Sequence, residues 1–240
     1  MNILNKFRRT GKFATRGAAR LYSTRRELMI HLYYGTEDFE VSEFRSRKVI
    51  DEIKMLLSAF DCMIPDDAGV YCSSDVTTGR GLYFELFREN GVGSEEELKD
   101  KLGASLYKQA KSELIRRNIE RGVEFTEKIR QRGINNLINP GPLYAEGFEQ
   151  QHYYYLWECV IIKKVYKIFF NEGWEYSNGC TLEYGIGYRK GIPLLDHLGD
   201  ELTLAAAKHK VEQAVAELRA RGIRFDKLER NLILIKELGE

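Results

Sequence analysis

Short apolar runs alternate along the chain with longer stretches in which apolar and charged positions recur at helical spacing. The runs "VYCSS" (70–74) and "YKIFFN" (166–171) are nearly continuous in apolar or small residues and bounded by turn residues, the pattern of strands buried on both faces. "INNLINPGPLY" reads as a short strand ending in a Pro/Gly turn, and "IPLLD" (192–196) as a further one. Helical spacing predicts an amphipathic helix over 46–60, a helix begun by "LYFELFREN", and helices over 150–164, 181–190 and 203–221. Ser94 and Glu97 form a capping box ahead of a long charged helix from Glu95 to about 132, with Gly103 and Gly122 as the places where it would break. At the two ends, "ELMIHLYYG" reads as a first strand and "RNLILIKEL" as an edge strand. Strands alternating with helices predict an α/β fold, a mostly parallel sheet of flavodoxin or Rossmann type with helices on both faces.

Length and charge narrow the picture. The 240 residues suffice for one ordinary domain with extensions. Net charge is +1, but residues 1–26 hold eight Lys and Arg and no acid. Removing those eight from the 37 basic residues leaves 29 against 36 acids, so the main body is acidic. That balance argues against nucleic acid as a partner. The leader is Arg-rich and hydroxyl-containing, and has two readings: a transit peptide for the mitochondrial matrix, or a disordered basic arm on a cytoplasmic protein. No stretch approaches the ~18–20 apolar residues of a membrane span. Cys62, Cys72, Cys159 and Cys180 lack CxxC spacing, and His31, His152, His197 and His209 lack an HExxH-like pair. Neither a disulfide framework nor a metal site is expected. The predicted organisation is a basic leader (1–28), an N-terminal extension (29–66), a core (67–199) with a helical insertion (94–132), and a C-terminal helix and tail (200–240).

Candidate chemistry gathers after two of the strands. The first loop offers Ser73, Ser74, Thr77, Thr78, Gly79 and Arg80. Hydroxyls, a guanidinium and the backbone amides of a helix start together suit a phosphate, although a plain polar turn has the same composition. The later stretch "GWEYSNGCTLEYGIGYRKGIP" (173–193) is a strand exit, a Ser-Asn-Gly turn and a helix carrying Glu183 with Gly187 one turn on. An acid placed there lies near the carboxyl end of a buried strand, where open α/β sheets have their ligand crevice.

Taken together, "VYCSSDVTTGRG", "INPGPLY", "YLWECVIIKKVYKIFF" and "GWEYSNGCTLEYGIGYRKGIP" resemble the nucleoside 2-deoxyribosyltransferase superfamily, in particular its 2′-deoxynucleoside 5′-phosphate N-hydrolase branch. The resemblance covers roughly 69–196, interrupted by 94–132, and is most specific in the last motif. It implies that Glu183 is the nucleophile at the anomeric carbon, flanked by Gly179 and Gly187. Ser177 and the neighbouring Asn178 and Gly179 would hold a 5′-phosphate with Ser74, Thr78, Gly79 and Arg80. Glu158 falls where the family has an Asp that positions the sugar and assists at the base. Trp174, Tyr71 and Asn139 are the expected base-contacting or rim residues. Glu in place of Asp at 158, Asn171 and Glu172 where relatives often have acids, and a longer first loop are departures from the family pattern. The implied activity is N-glycosidic cleavage or base exchange on a nucleoside or nucleotide, without metal or other cofactor, in a homodimer or higher oligomer whose aromatic-rich 150–157 segment is a candidate contact. The chemistry is apt, because a departing base leaves positive charge on the sugar that a carboxylate stabilises or traps. Two other functions fit the same residues: a non-catalytic nucleotide-binding module, and a glycohydrolase acting on NAD.

Overall fold

Every position of Gly69–Ser73 (β1) is buried, as a strand covered on both faces requires. The computed structural model describes residues 46–239, and all but the first two belong to one compact unit, Lys48–Glu240. The leader and the strand expected at "ELMIHLYYG" lie outside the described residues.

The described chain begins with α1 (Arg47–Met63), whose Val49 and Ile53 are buried, and passes into β1. A π-helical segment, Gly81–Phe87, continues as the short turn Arg88–Asn90; together they are α2. The long α3 (Glu95–Arg130) leads to β2 (Leu137–Ile138), then α4 (Gln150–Lys164) and β3 (Val165–Phe170). A 3-10 turn, Trp174–Tyr176, precedes α5 (Asn178–Lys190) and β4 (Leu194–Leu195). Two helices, α6 (Leu204–Ala220) and α7 (Asp226–Glu237), complete the described part.

The four strands form one sheet in the order β2-β1-β3-β4, and every pairing is parallel. Alternation along the strands divides the core into two layers. Val70, Cys72 and Phe169 face α3, whose Phe125 and Ile129 complete a buried cluster with them. Tyr71, Ile168 and Phe170 face the other way, where Trp157 of α4 packs edge-on against Tyr71 and Tyr184 of α5 against Phe170. Each fully buried side chain of this kind is worth about 1.5–3 kcal/mol. The α/β reading of the sequence, with helices on both faces, is the observed architecture.

Local chemistry explains the ends of the helices that frame the sheet. Ser94 accepts the Glu97 amide at 3.2 Å, and the Glu97 carboxylate accepts the Gly93 amide at 2.8 Å. Three acids fill the first turn of α3, and Lys128 and Arg130 its last, each complementing the helix dipole. The break in α3 falls at Gly103 (φ 73°, ψ 162°), whereas Gly122 lies inside continuous helix. α5 sits close on the sheet because residue 187 is glycine: a Cβ there would lie 2.6 Å from Leu194 Cδ2 and 2.8 Å from Ile168 Cδ1.

One expected element is corrected. "RNLILIKEL" is not an edge strand but the body of α7. Its buried residues are Leu228, Leu232 and Ile235, a helical spacing, while Ile233 in the middle of the apolar run is exposed. The short apolar run looks like a strand only when the upstream Leu228 is left out of the pattern.

Candidate functional site

The chain leaves β1 toward β2 on one side and β3 toward β4 on the other, so the strand order reverses between β1 and β3. A crevice opens at the carboxyl ends of such a pair. The loop after β1 and the turn before α5 meet there, where the Asn178 amide donates to Thr78 Oγ1 at 3.2 Å.

Glu183 is directed into this junction. Its N-cap, Ser177, accepts the Cys180 amide at 3.4 Å and so fixes the start of α5, which places Glu183 in the second turn over β1. There Tyr71 Oη donates to Oε1 at 2.8 Å and Ser73 Oγ donates to Oε2 at 2.5 Å. Burial holds the Glu183 pKa above its ordinary value, and the two hydroxyls, first Ser73 and then Tyr71, offset only part of that rise. Burial and then the nearby carboxyl hold the Tyr71 phenol well above its ordinary value, so it remains a donor.

The residues expected at a phosphate lie around the same junction. Ser74 is buried, and its Oγ has no protein hydrogen-bond partner; it lies against Gly122 of α3. Thr78 is held by Asn178, and its carbonyl, with that of Val76, accepts from Asn118 of α3. Gly79 adopts φ 100°, and a Cβ there would lie 2.3 Å from Asp75 Oδ2, so only glycine allows the loop to fold over Asp75. Asn178 is buried with its Oδ1 unpartnered, while its carbonyl accepts from Asn231 of α7 at 2.8 Å. Gly179 lies one residue on, in the first turn of α5. Arg80 is exposed at the outer edge, its guanidinium 5.4 Å from the Phe84 ring centre and 5.2 Å from that of Tyr176.

Three expected positions take different places, while Asn139 stays half-buried at the end of β2, beside Gly122 together with Ser74. Tyr71 is fully buried and serves Glu183 from beneath, because strand alternation points it to the same face as Ser73; it is not a rim residue. Trp174 is 2% exposed and stacks on Tyr184 at 5.4 Å between ring centres, with Phe170 beside it, so it belongs to the core rather than the rim. Asn139 closes its own turn by accepting the Gly141 amide at 3.0 Å. Glu158 does not face Glu183. It is 1% exposed on α4, its Oε1 has no hydrogen-bond partner, and the charged group that bears on it is Arg189 near the carboxyl end of α5. Burial pushes its pKa up to about 8, and neither glutamate bears on the other's ionisation.

The structure also brings in residues that the motifs passed over. Asp75, 7% exposed, accepts from Arg121 Nη2 of α3 at 3.1 Å. Asn118 of α3, which holds the loop's carbonyls, and Asn231 of α7 both stand outside the quoted motifs. Ser73 stood within the first loop's hydroxyls, and its i, i+2 relation to Tyr71 is the signal for its true role. Nothing in the local sequence of α3 or α7 points to partners forty or more residues away.

Among the described residues, no group of three His, Cys, Asp or Glu side chains could hold a metal ion. None of their helices is long and apolar enough to cross a membrane. Compared with family models, curated proteins and solved structures, the chain matches none.

Proposed function

We propose that the chain is an N-glycosidase or base-exchanging pentosyltransferase acting on a nucleoside or nucleotide, with Glu183 as the group that attacks the anomeric carbon. The observation that carries this reading is the Glu183 carboxyl itself: buried at the β1–β3 crevice, with one hydroxyl on each oxygen. Two hydroxyl donors favour the ionised form that a nucleophile needs, against a burial that disfavours it. They also fix the carboxyl's orientation, so attack begins from one geometry.

The surroundings suit a polar, sugar-containing ligand. Ser74 Oγ and Asn178 Oδ1 are buried polar atoms without protein partners on the two elements that meet at the crevice, and a hydroxylated ligand would satisfy both. Arg80 stands at the exposed outer edge with its guanidinium over the Phe84 and Tyr176 rings, where a 5′-phosphate would be met first. Water or a second base would resolve the glycosyl-enzyme, giving hydrolysis or exchange. The resemblance to the deoxyribosyltransferase superfamily supports the same chemistry and a homo-oligomeric protein.

Incubating the full chain with a panel of nucleosides, their 5′-monophosphates and NAD, with and without a second free base, tests the reading. Base release from at least one member is expected, abolished in Glu183→Ala. Binding of nucleotides without release by the wild-type chain would replace the enzyme reading with a binding module.

A further inference from the structure

Glycine inside a continuous helix is disfavoured relative to alanine, yet Gly122 sits there, buried, in α3. Its missing side chain leaves a small gap beside the carboxyl ends of β1 and β2. A Cβ at 122 would lie 3.3 Å from Ser74 Cβ, 3.5 Å from Ser74 Oγ and 3.8 Å from Asn139 Oδ1. A Cβ at Gly141 would lie 3.2 Å from the same Asn139 oxygen, so two glycines keep that oxygen clear. Ser74 is 6% exposed, and its Oγ has no hydrogen-bond partner among the described residues. It directly follows Ser73, which donates to Glu183. The two serines continue the alternation of β1, Ser73 toward α5 and Ser74 toward α3.

We propose that the gap between Ser74, Gly122 and Asn139 is a subsite for one hydrogen-bond-donating group of the ligand, a sugar hydroxyl or a base amine. The inference rests on the nucleoside or nucleotide reading above, but not on cleavage. The need for a donor comes from Asn139. Its Oδ1 accepts the Gly141 amide at 3.0 Å, which identifies that atom as the carbonyl oxygen, and its second lone pair can only accept again. A hydroxyl can donate to this oxygen while accepting from Ser74 Oγ, and an amine can donate to both. An ionised phosphate oxygen has no hydrogen to give and would face an oxygen of like partial charge. Ser74 is thereby assigned to the uncharged part of the ligand, not to the 5′-phosphate that the family resemblance gives it.

Size and position suit such a group. An oxygen or nitrogen hydrogen-bonds at about 2.7–3.2 Å, so the space that a methyl would fill accommodates one such atom. Ser74 is the closed wall and the half-buried Asn139 the more exposed one. Adjacent Cα atoms lie about 3.8 Å apart, so a ligand poised at Glu183 above Ser73 stands one residue from the gap. Discrimination follows from burial. An analogue without the donor leaves the serine hydroxyl unpaired in the complex, and a site built to hydrogen-bond a group rejects ligands that lack it.

The test is a binding cycle, measured by calorimetry in the full chain carrying Glu183→Gln, which lacks the attacking carboxylate. The ligands are adenosine, guanosine, cytidine and uridine, their 5′-monophosphates, and forms lacking one sugar hydroxyl or the base amine in turn. With the gap intact, one such deletion in the tightest-binding parent is expected to weaken binding about 10-fold, and the group deleted identifies the source of the donor. Ser74→Ala removes the hydroxyl and Gly122→Ala fills the gap. Each is expected to weaken the parent by about the same factor and to abolish the further loss from that deletion. The same ratios are expected in kcat/KM when Glu183 is kept. Gly122→Ala should unfold in urea close to its parent, because alanine favours helix; if it unfolds early, Ser74→Ala carries the cycle alone. Deletion losses unchanged by Ser74→Ala would overturn the subsite. So would a Ser74→Ala loss confined to the 5′-monophosphates, which would return Ser74 to the phosphate. If the wild-type chain binds nucleosides yet releases no base, the glycosidase reading falls and the cycle still decides the subsite. Failure to bind any nucleoside or monophosphate overturns both.

Discussion

The carboxyl end of the sheet and the seam between α4 and α5 each bury a glutamate. At the sheet end, Glu183 receives a hydroxyl on each oxygen, both from β1. In the seam, Glu158 is still more buried and has no hydrogen bond at Oε1. Burial raises both pKa values, but only at Glu183 does anything hydrogen-bond the charged form. Burial alone therefore does not mark a reactive group; the donors that make its charge tolerable do. One carboxyl has donors that support its charge, while the other burdens the fold whenever it ionises.

The sharpest way to break this contrast is to remove each carboxyl in turn. Glu183→Ala is expected to lower base release by about three orders of magnitude or more, measured by chromatography of the free base. Glu158→Ala should retain release within a few-fold, since the charge that bears on Glu158 is Arg189 and not Glu183. A reversed ranking would place the reactive centre in the seam.

Stability against pH separates the two regions in a second way. The Glu158 pKa is raised, from 4.5 to about 8, so the folded chain holds its proton where the unfolded chain has lost it. The stability this contributes is fully present below about pH 4.5 and is lost as pH rises toward 8. Glu158→Met is expected to unfold later than the wild type in urea at pH 8, by about 3 kcal/mol, and the gain should shrink at pH 5. A gain equal at both pH values would show that packing, not charge, is responsible.

Smaller changes sharpen the account of Glu183. Ser73→Ala removes the closer of its two donors and Tyr71→Phe the other. Each is expected to cost about 10-fold in base release, equivalent to about 1.4 kcal/mol. Because both hydroxyls lower the Glu183 pKa, either substitution should move the acid limb of the pH–rate profile upward. The smallest effect on base release is expected at Gly187→Ala, which crowds Leu194 and Ile168 and should cost about 1–2 kcal/mol in urea unfolding, with the limb unmoved.

How much of this was legible in the sequence differs from element to element. β1 and β3 were readable because their apolar runs are of strand length, hold β-branched and aromatic residues and lie between turn signals. The helix at Gln150–Lys164 was found to its ends, and α5 was missing only its first turn, where Ser177 acts as the cap. α7 resembles a strand in sequence because its buried face, Leu228, Leu232 and Ile235, is spread over a longer segment than its apolar run. At the site, Glu183 and the Ser177 turn stood out because strand, turn and helix follow one another locally. Asp75, Asn118 and Asn231 did not, since their roles come from helices brought together by the fold. Only the family resemblance points to Glu158, and which neighbours a helix face meets is not written along that helix.

The outermost strands carry a consequence for how copies of this chain would meet. β2 and β4 each contribute only two residues to the sheet, Leu137–Ile138 and Leu194–Leu195. A flank so short offers an incoming strand too few amide and carbonyl groups to build a ladder, which is one way natural sheets are kept from joining edge to edge. Beyond β4 the chain also turns back, and Leu195 bridges antiparallel to Glu201. Any stable association through the described part of the molecule must therefore be made by helix faces, not by continuing the sheet from one copy into the next.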